Sequence, residues 1–556
     1  MRREVEIVLE NTNQKVRVTP GLSLMELTGI FNIKLEHQVL GAMVNNQLKE
    51  LDYEIFTPKT IRFIDITHPA GMRMYQRSLF FLLHKAVGDI LPGCKVRIEH
   101  SVSKGFYCEI DGFEQPLDLP LVFSICDKMR EVVAADIPFR RDKILTTDAV
   151  KLFEDLGYTE QAKLFDTRPK LYTSIYYLGD LPGYFFGNLV PSTGYLKVFD
   201  LVKYYQGMLL RIPKRSKPDE VEDVVIQNKM FDIFQEYKDW THILGVGNVV
   251  AINEQVEQGN ASELIKVSEA LHEKKVAYIA DKIHSLGDKV KVILISGPSS
   301  SGKTTFAKRL AVQLRVNGIR PYTISLDNYF VDRDRTPRDE NGDFDFEALE
   351  ALDIEYFNSD LLRLLNGETV ELPKFSFEKG ARFFDNTLMR IDPNGMIIIE
   401  GIHALNPKLT PLIPSDKKFK IYVSALTSMS YDGINRIPTT DNRLIRRIVR
   451  DYRYRGYNAL QTIARWESVR RGEDRNIFPY QEEADEMFNS ALLFEFGLLK
   501  SYVEPLLQEV PPNRPEFDEA DRLLKFLYYF NTISDSEVPP TSIIREFLGG
   551  SAFSYS

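Results

Sequence analysis

The densest chemical signal in the chain is VKVILISGPSSSGKTTFAKRLAVQL, which sets Gly297, Gly302, Lys303 and Thr304 in the order GxxxxGK[ST]. An apolar strand-like run precedes the pattern and a helical one follows it. Glycines let the backbone of Gly297, Pro298, Ser299, Ser300, Ser301 and Gly302 curl so that its N–H groups face phosphate oxygens. The helix that begins with Lys303, Thr304 and Thr305 adds a favourable dipole, the lysine neutralises phosphate charge, and the Thr304 hydroxyl is offered to magnesium. The bland alternative is a glycine and serine loop that merely joins a strand to a helix. The bare pattern arises by chance about once in fifty chains of this length, and the strand and helix context lowers that. ATP or GTP binding is the inference, with Mg2+ as the accompanying ion.

A phosphate loop does not distinguish a kinase from an ATPase, a GTPase or a motor, so other residues must decide. The run PYTISLDNYF ends a strand at Asp327, and the carboxyl ends of parallel strands border the ligand crevice. A carboxylate there can accept a hydroxyl proton; as an isolated aspartate it could equally cap a turn. GMIIIEGIHAL runs a strand into Glu400, where an acid can hold the magnesium shell, directly or through water. In TDNRLIRRIVRDYRYRG, Arg443, Arg446, Arg447, Arg450 and Arg453 recur at helical spacing, with Leu444, Ile445, Ile448 and Val449 largely on another face. Such an arginine face can clamp polyphosphate and exclude water during transfer; alone, it would read as a solvated charged face.

The elements that must position these groups are legible as alternation. VKVILIS, PYTISL, GMIIIEG and FKIYVSA are strands separated by amphipathic helices, which predicts a parallel sheet covered by helices. Over residues 288–505 the ordered motifs GPSSSGKTT, SLDNYF, GDFDFEALEALD, LPKFSFEKGARF, IIIEGIHAL, DNRLIRRIVRDYRYRG and FPYQEEAD resemble the uridine kinase and phosphoribulokinase family. That resemblance implies ATP-dependent transfer to a hydroxyl of a small metabolite, a nucleoside being the expected acceptor. It carries over Asp327 as base, Asp345 as ribose-hydroxyl ligand, Glu400 as the acid near magnesium, and Arg443, Arg446 and Arg447 as lid residues. Tyr329, Phe375, Phe377 and Arg443 join Asp327 and Asp345 on the substrate side, and Lys303 joins the catalytic set.

The segment LPKFSFEKG departs from the uridine kinase pattern, in which a tyrosine, an aspartate, a phenylalanine and a base-binding histidine are usual. Here those positions are Phe375, Ser376, Phe377 and Gly380. Stacking through the two rings survives, but the histidine hydrogen bond has no counterpart. Arg465 stands where a lid-region glutamine is usual, and Tyr457 where an arginine is usual. Kinase chemistry carries over; uridine specificity does not.

Upstream, residues 1–66 read as an α+β module in which Ser23 caps LMELTGIF and Asn45-Asn46 makes a turn. LGAMVNNQLKELDYEIF and TIRFIDI resemble the TGS domain, a β-grasp module of threonyl-tRNA synthetases and some regulatory GTPases. Residues 67–214, through KAVGDILPGCKVRIEHSVSKGFYCEID and GYFFGNLVPSTG, resemble the α+β editing domain of those synthetases. The positions of its four metal ligands read Arg77, Phe81, Phe185 and Leu189, so hydrolytic editing is not expected, and His84 is read as structural. Residues 215–287 are expected to be a helical connector opening with the boundary-like PKRSKPDEVED, with Ser262 as a helix cap. Residues 506–556 form a helix and a tail that either docks near a site or, as is commoner for termini, stays flexible.

A 556-residue chain with 44% hydrophobic and 27% charged residues is an ordinary globular sequence of several domains. A net charge of -9 gives no basic excess for RNA, leaving a scaffold or assembly role, including a homo-oligomer, as the readier expectation for the N-terminal half. Three cysteines without CxxC spacing and no apolar run long enough to span a bilayer predict a cytoplasmic, membrane-free protein. The competing class is a nucleotide-switched, tRNA-binding regulator that uses the loop only as a sensor.

Overall fold

The computed structural model describes residues 4–167, 170–340, 342–376 and 378–555. The first module pairs β1 (Val5–Leu9), β2 (Gln14–Val18), β3 (Gly41–Val44), β4 (Gln47–Lys49) and β5 (Lys59–Ile64) in the order β2-β1-β5-β3-β4 over helix α1 (Leu24–Ile30). Ser23 caps α1 in a capping box with Glu26. Asn45 and Asn46, at φ of 47° and 59°, make the tight turn between β3 and β4, a conformation asparagine tolerates better than most side chains.

The second module is built on α2 (Pro69–Ile90), whose middle is apolar all round because a sheet covers one side and α3 (Leu119–Ala134) the other. Its four-stranded sheet contains β6 (Lys95–Val102) and β7 (Gly105–Asp111), joined by β11 (Asp200–Tyr204) and β12 (Gly207–Arg211). A second sheet has β8 (Phe139–Leu145), β9 (Tyr172–Leu178) and β10 (Leu181–Gly183). The expected boundary at residue 214 falls inside a hairpin, since Pro213–Lys214 pairs with Lys217–Val221. Charge and proline there mark a turn rather than a linker.

Helices α4 (Thr146–Asp155) and α5 (Thr159–Asp166) lie between β8 and β9, and α6 (Asn228–Ile243), α7 (Val249–Glu257) and α8 (Ala261–Ser285) follow the hairpin. Ser262 is not the cap of α8: that position is Asn260, and the Ser262 hydroxyl donates to Glu537. The third module holds a five-stranded parallel sheet of β13 (Val292–Ser296), β14 (Arg320–Ser325), β17 (Gly395–Glu400), β18 (Lys418–Ser424) and β19 (Glu486–Asn489), ordered β14-β17-β13-β18-β19. All five residues of β13 are buried, as expected of a central parallel strand covered on both faces. Ile293 and Ile295 pack with Phe306 and Leu310 of α9 (Lys303–Val316), while Val292 and Leu294 face Phe357 and Leu361 of α10 (Ile354–Leu365). A small hairpin, β15 (Lys374–Ser376) with β16 (Ala381–Phe383), lies between α10 and β17.

Helices α11 (Thr439–Arg455), α12 (Ala459–Asn476), α13 (Glu495–Gln508), α14 (Phe517–Leu527) and α15 (Arg545–Leu548) complete the molecule. The tail docks rather than fraying: Ile543, Ile544, Phe547 and Leu548 are at most 2% exposed within the same core as β13 and α9. Each such burial contributes roughly 1.5–3 kcal/mol against about 1–2 kcal/mol for fixing a backbone residue, so all four together hold the segment.

The modules are joined through α14. The Leu48 N–H donates to Asp518 Oδ1 at 2.9 Å, and Arg73 pairs with Glu519 at 3.2 Å. Burial pushes the Glu519 carboxyl up, but the Arg522 and Arg73 guanidiniums outweigh it and hold it down to about 2. A carboxylate depressed in the folded state stabilises above its unfolded range, near 4.5, and loses that contribution as pH falls towards 2. Glu519→Gln is therefore expected to cost about 2 kcal/mol at neutral pH, allowing for partial exposure, with the gap from wild type narrowing below about pH 4.5. Urea unfolding of both proteins between pH 7 and pH 4 measures it; a pH-independent gap would remove the ionic explanation.

Candidate functional site

The phosphate loop leaves β13 at Ser296, whose hydroxyl donates to the Ile402 carbonyl at 2.7 Å, and enters α9 at Lys303. A Cβ on Gly297 would stand 1.9 Å from the Val423 carbonyl oxygen, so only glycine lets the loop start so close to β18. Gly302 has φ of 81°, and a Cβ there would meet Ile543 of the tail at 2.5 Å. The Ser300 and Ser301 hydroxyls are buried and take no hydrogen-bond partner among the described residues. Orphaned donors at a helix N-terminus suit phosphate oxygens.

Two acids hold the loop. Ser299 N–H donates to Glu473 Oε1 at 3.0 Å, while Arg443 pairs with both oxygens of Glu473 and donates to Ser299 O at 3.2 Å. Burial would raise the Glu473 carboxyl, but Arg443 and then Arg470 outweigh it and lower it. Glu546 of α15 accepts from the Thr305 N–H at 3.1 Å and from its hydroxyl at 2.7 Å, and Tyr555 adds a contact to the same hydroxyl at 2.9 Å. Lys303 Nζ donates to Pro298 O at 3.1 Å.

Asp327 follows β14, and Glu400 ends β17 in register with Ser325 and Ile295 on its two neighbours. Ser325 Oγ donates to Glu400 at 2.7 Å. Burial and then the Asp327 charge push the Glu400 carboxyl up to about 7, with Lys303 opposing them. The Asp327 carboxylate accepts no hydrogen bond among the described residues. Glu347 joins this group: one of its carboxylate oxygens is buried and unpartnered, and burial raises it to about 7, opposed by Arg447 and Lys303 and aided by Glu473 and Asp327. Glu347 and Glu400 thus each feel both the Lys303 and the Asp327 charge.

The arginine helix differs from a solvent-facing lid surface. Arg443 and Arg446 are 1% and 0% exposed. Arg446 pairs with Glu495 at 2.6 Å and donates to Ser490 O at 2.8 Å, reaching the loop only through Ser490, whose hydroxyl donates to Ser301 O. Arg447 donates to Ser299 Oγ at 2.8 Å and pairs with Asp451. The partners Glu473, Glu495 and Asp451 turn the helix's charged side inwards, while Arg453 stays exposed.

On the substrate side, Asp345 accepts from the Glu347 N–H at 3.1 Å. Tyr329 is 1% exposed, its phenol donates to Asp360 at 3.1 Å, and burial raises its pKa, which makes it a support beneath the crevice rather than a wall of it. The Phe375 ring lies 5.7 Å from Phe330, and its N–H donates to Asn328, next to Asp327. Phe377 lies outside the described residues. Sequence reasoning missed Glu473 and Glu546, which lie in ordinary charged helices, and Glu347, although it stood inside a quoted motif.

In the second module, the Phe81 and Phe185 rings meet at a tilt of 49° with centroids 4.9 Å apart beside buried Leu189, and Arg77 donates to Asn188 O at 2.8 Å. No cluster of His, Cys, Asp or Glu suited to a metal occurs among the described residues. Buried His84 meets Tyr158 OH at 2.9 Å, and burial, aided by Lys95, lowers it to about 4.

A parallel sheet with a phosphate loop at the carboxyl end of its central strand defines a P-loop α/β domain. Residues 292–492 match the family described as Phosphoribulokinase / Uridine kinase family, so this part of the chain carries a domain of that family. The N-terminal region matches threonine–tRNA ligases: 30% identity over 218 residues in Rubrobacter xylanophilus, covering 37% of this chain and 33% of that one. The ligase of Oleidesulfovibrio alaskensis is 29% identical over 195 residues, covering 33% and 30%. The chain thus spans about a third of the length of these curated relatives. Among solved structures, a candidate fructose transport system kinase from Silicibacter sp. TM1040 aligns at 21% identity and a TM-score of 0.29, covering 38% of this chain and 98% of that one. A possible uridine kinase from Bacillus stearothermophilus aligns at 19% identity and 0.28, covering 39% and 97%. Among the described residues no helix is long and apolar enough to cross a membrane.

Proposed function

We propose that this protein transfers the γ-phosphoryl group of ATP to a hydroxyl of a small metabolite, with a nucleoside as the expected acceptor. The observation that carries the reading is Asp327: a carboxylate that accepts no hydrogen bond from the described residues and acts electrostatically on Glu400 at the carboxyl ends of the strands. In the proposed reaction the acceptor hydroxyl passes its proton to Asp327 as its oxygen bonds to the γ-phosphorus, and the bond to the bridging β–γ oxygen breaks to leave ADP. Lys303 and the loop N–H groups balance the phosphate charge.

The donor set fits a hard divalent cation, because Thr304 and Glu400 offer oxygen only and the Glu400 carboxylate is desolvated beside a second acid. Thr304 and Glu400 would hold Mg2+, which neutralises charge on the phosphates when bound. Asp345 and Phe375 are assigned to the acceptor side, and the lack of a side chain at Gly380 argues against strict uridine recognition.

A magnesium-dependent transfer screen with labelled ATP across nucleosides, sugars and polyols tests the reading, with Lys303→Ala as the control. One acceptor labelled by wild type and not by Lys303→Ala is the expected result. The match to threonine–tRNA ligases favours a second reading, a nucleotide-switched tRNA-binding protein. Tight tRNA binding with no labelled acceptor would replace the first reading by the second.

A further inference from the structure

Away from the phosphate loop, all three modules enclose a cavity of about 310 Å³. Its walls come from the β3–β4 hairpin with Leu48 and Lys49, from α2 and residues 184–188, and from residues 431–441 with α14. Seven basic and three acidic side chains line it, and the acids are already matched. Asp441 takes both forks of Arg522 at 2.7 and 2.8 Å, Asp518 accepts the Leu48 N–H, and Asp521 pairs with Lys525 at 2.5 Å. The surplus charge in the wall is therefore cationic.

Two arginines carry that surplus. Among the described residues Arg77 donates only to a backbone carbonyl, that of Asn188, and the Arg436 guanidinium donates no hydrogen bond, lying 5.4 Å over the Phe106 ring with its Nε buried and unpartnered. Among the described residues neither lies within ion-pair distance of a carboxylate, Asp518 and Asp441 acting on them only at longer range. Burial pushes both down to about 10, aided at Arg77 by the Arg73 charge, and the more distant Asp518 and Asp441 oppose the shift without cancelling it. Burying a cation without an anion is costly, so a site of this kind is completed by an anion from outside. Around the arginines the wall is aromatic, with Phe80, Phe106, Phe186, Tyr431 and Tyr528 presenting rings. Guanidinium forks and ring faces together suit an anionic head on a flat body. The volume suits one small molecule.

The cavity also has a direct structural line to the phosphate loop. Asp441, in the first turn of α11, forms part of the wall, and Arg443 and Arg447 on the same helix bind Ser299 of the loop. We propose that this cavity is a regulatory site for a small organic anion bearing a planar ring, of the nucleoside monophosphate class, whose binding alters the nucleotide affinity of the phosphate loop through α11. The inference goes beyond the proposed activity and does not depend on it, since its readout is binding.

The test titrates adenosine, guanosine, uridine and cytidine 5′-monophosphates into the full-length Lys303→Ala protein by calorimetry, so that the phosphate loop does not supply the signal. One of the four is expected to bind at one site per chain. Arg436→Met and, separately, Arg77→Met in that background are each expected to weaken it by about tenfold or more, the loss of a charged hydrogen-bonding partner. In the Lys303 protein, the same monophosphate is expected to change the affinity for a non-hydrolysable ATP analogue by about fivefold, a shift abolished by Arg436→Met. Both arginine variants should melt no lower than their parent without ligand, because they remove partly buried charge that lacks an ion-pair partner among the described residues. Binding by none of the four, binding indifferent to both substitutions, an analogue affinity that does not respond, or ligand-free variants that melt well below their parent would each overturn the proposal.

Discussion

Asp327→Asn is expected to lower phosphoryl transfer by about 10²–10⁴-fold, the usual contribution of a positioned general base, while changing the affinity for an ATP analogue by less than about threefold. The separation follows from the geometry. Asp327 holds no hydrogen bond to the loop or to α9, and asparagine keeps its volume. The substitution also removes the second cause that raises Glu400, so the Glu400 carboxyl should titrate lower in the variant than in wild type. Single-turnover transfer rates, equilibrium binding of the analogue and a carboxylate titration by ¹³C NMR measure the three effects. A parallel loss of analogue affinity would assign Asp327 to nucleotide binding and withdraw it as the base.

The second large effect concerns stability. Glu473 is fully buried and bonds Arg443, Arg470 and the Ser299 N–H at once. Glu473→Gln keeps an acceptor for Ser299 but strands two guanidiniums, one of them buried, and is expected to cost about 3–5 kcal/mol. The double replacement Glu473→Leu with Arg443→Met should cost clearly less than the sum of its single replacements, because it removes both buried charges together. Arg443 lies 5.4 Å over the Trp466 ring, so Trp466 fluorescence in a Trp240→Phe background reports this region during urea unfolding. Strict additivity would show that the pair is not coupled.

How much of this was legible in the sequence depends on the range of each interaction. The loop, the strands on which it rests and the capping box at Ser23 are local patterns, and the chain states them over a few residues. The four-residue edge strand β19 and the docking of the tail depend on partners supplied by distant segments, and no short window contains them. The arginine helix shows the limit most plainly. Its spacing marked a charged face correctly, but whether that face meets water, a phosphate or a carboxylate is decided by Glu473 and Glu495, thirty or more positions away. Ser262 failed as a cap because the helix begins at Ala261, which puts Ser262 inside the first turn rather than before it.

The contact between Thr305 and Glu546 spans 241 positions, and that separation sets an order of events during synthesis. At about 5–20 residues per second, ribosomes need on the order of 10–50 s to travel from one partner to the other. Late in that interval the β-strand and helix flanking the loop, the neighbouring β18 and Glu473 are already made, but the acid that will occupy the Thr305 N–H is not. A nascent chain therefore presents an open phosphate cradle before a finished one does, and a nucleotide captured then could serve as a template on which the later helices assemble.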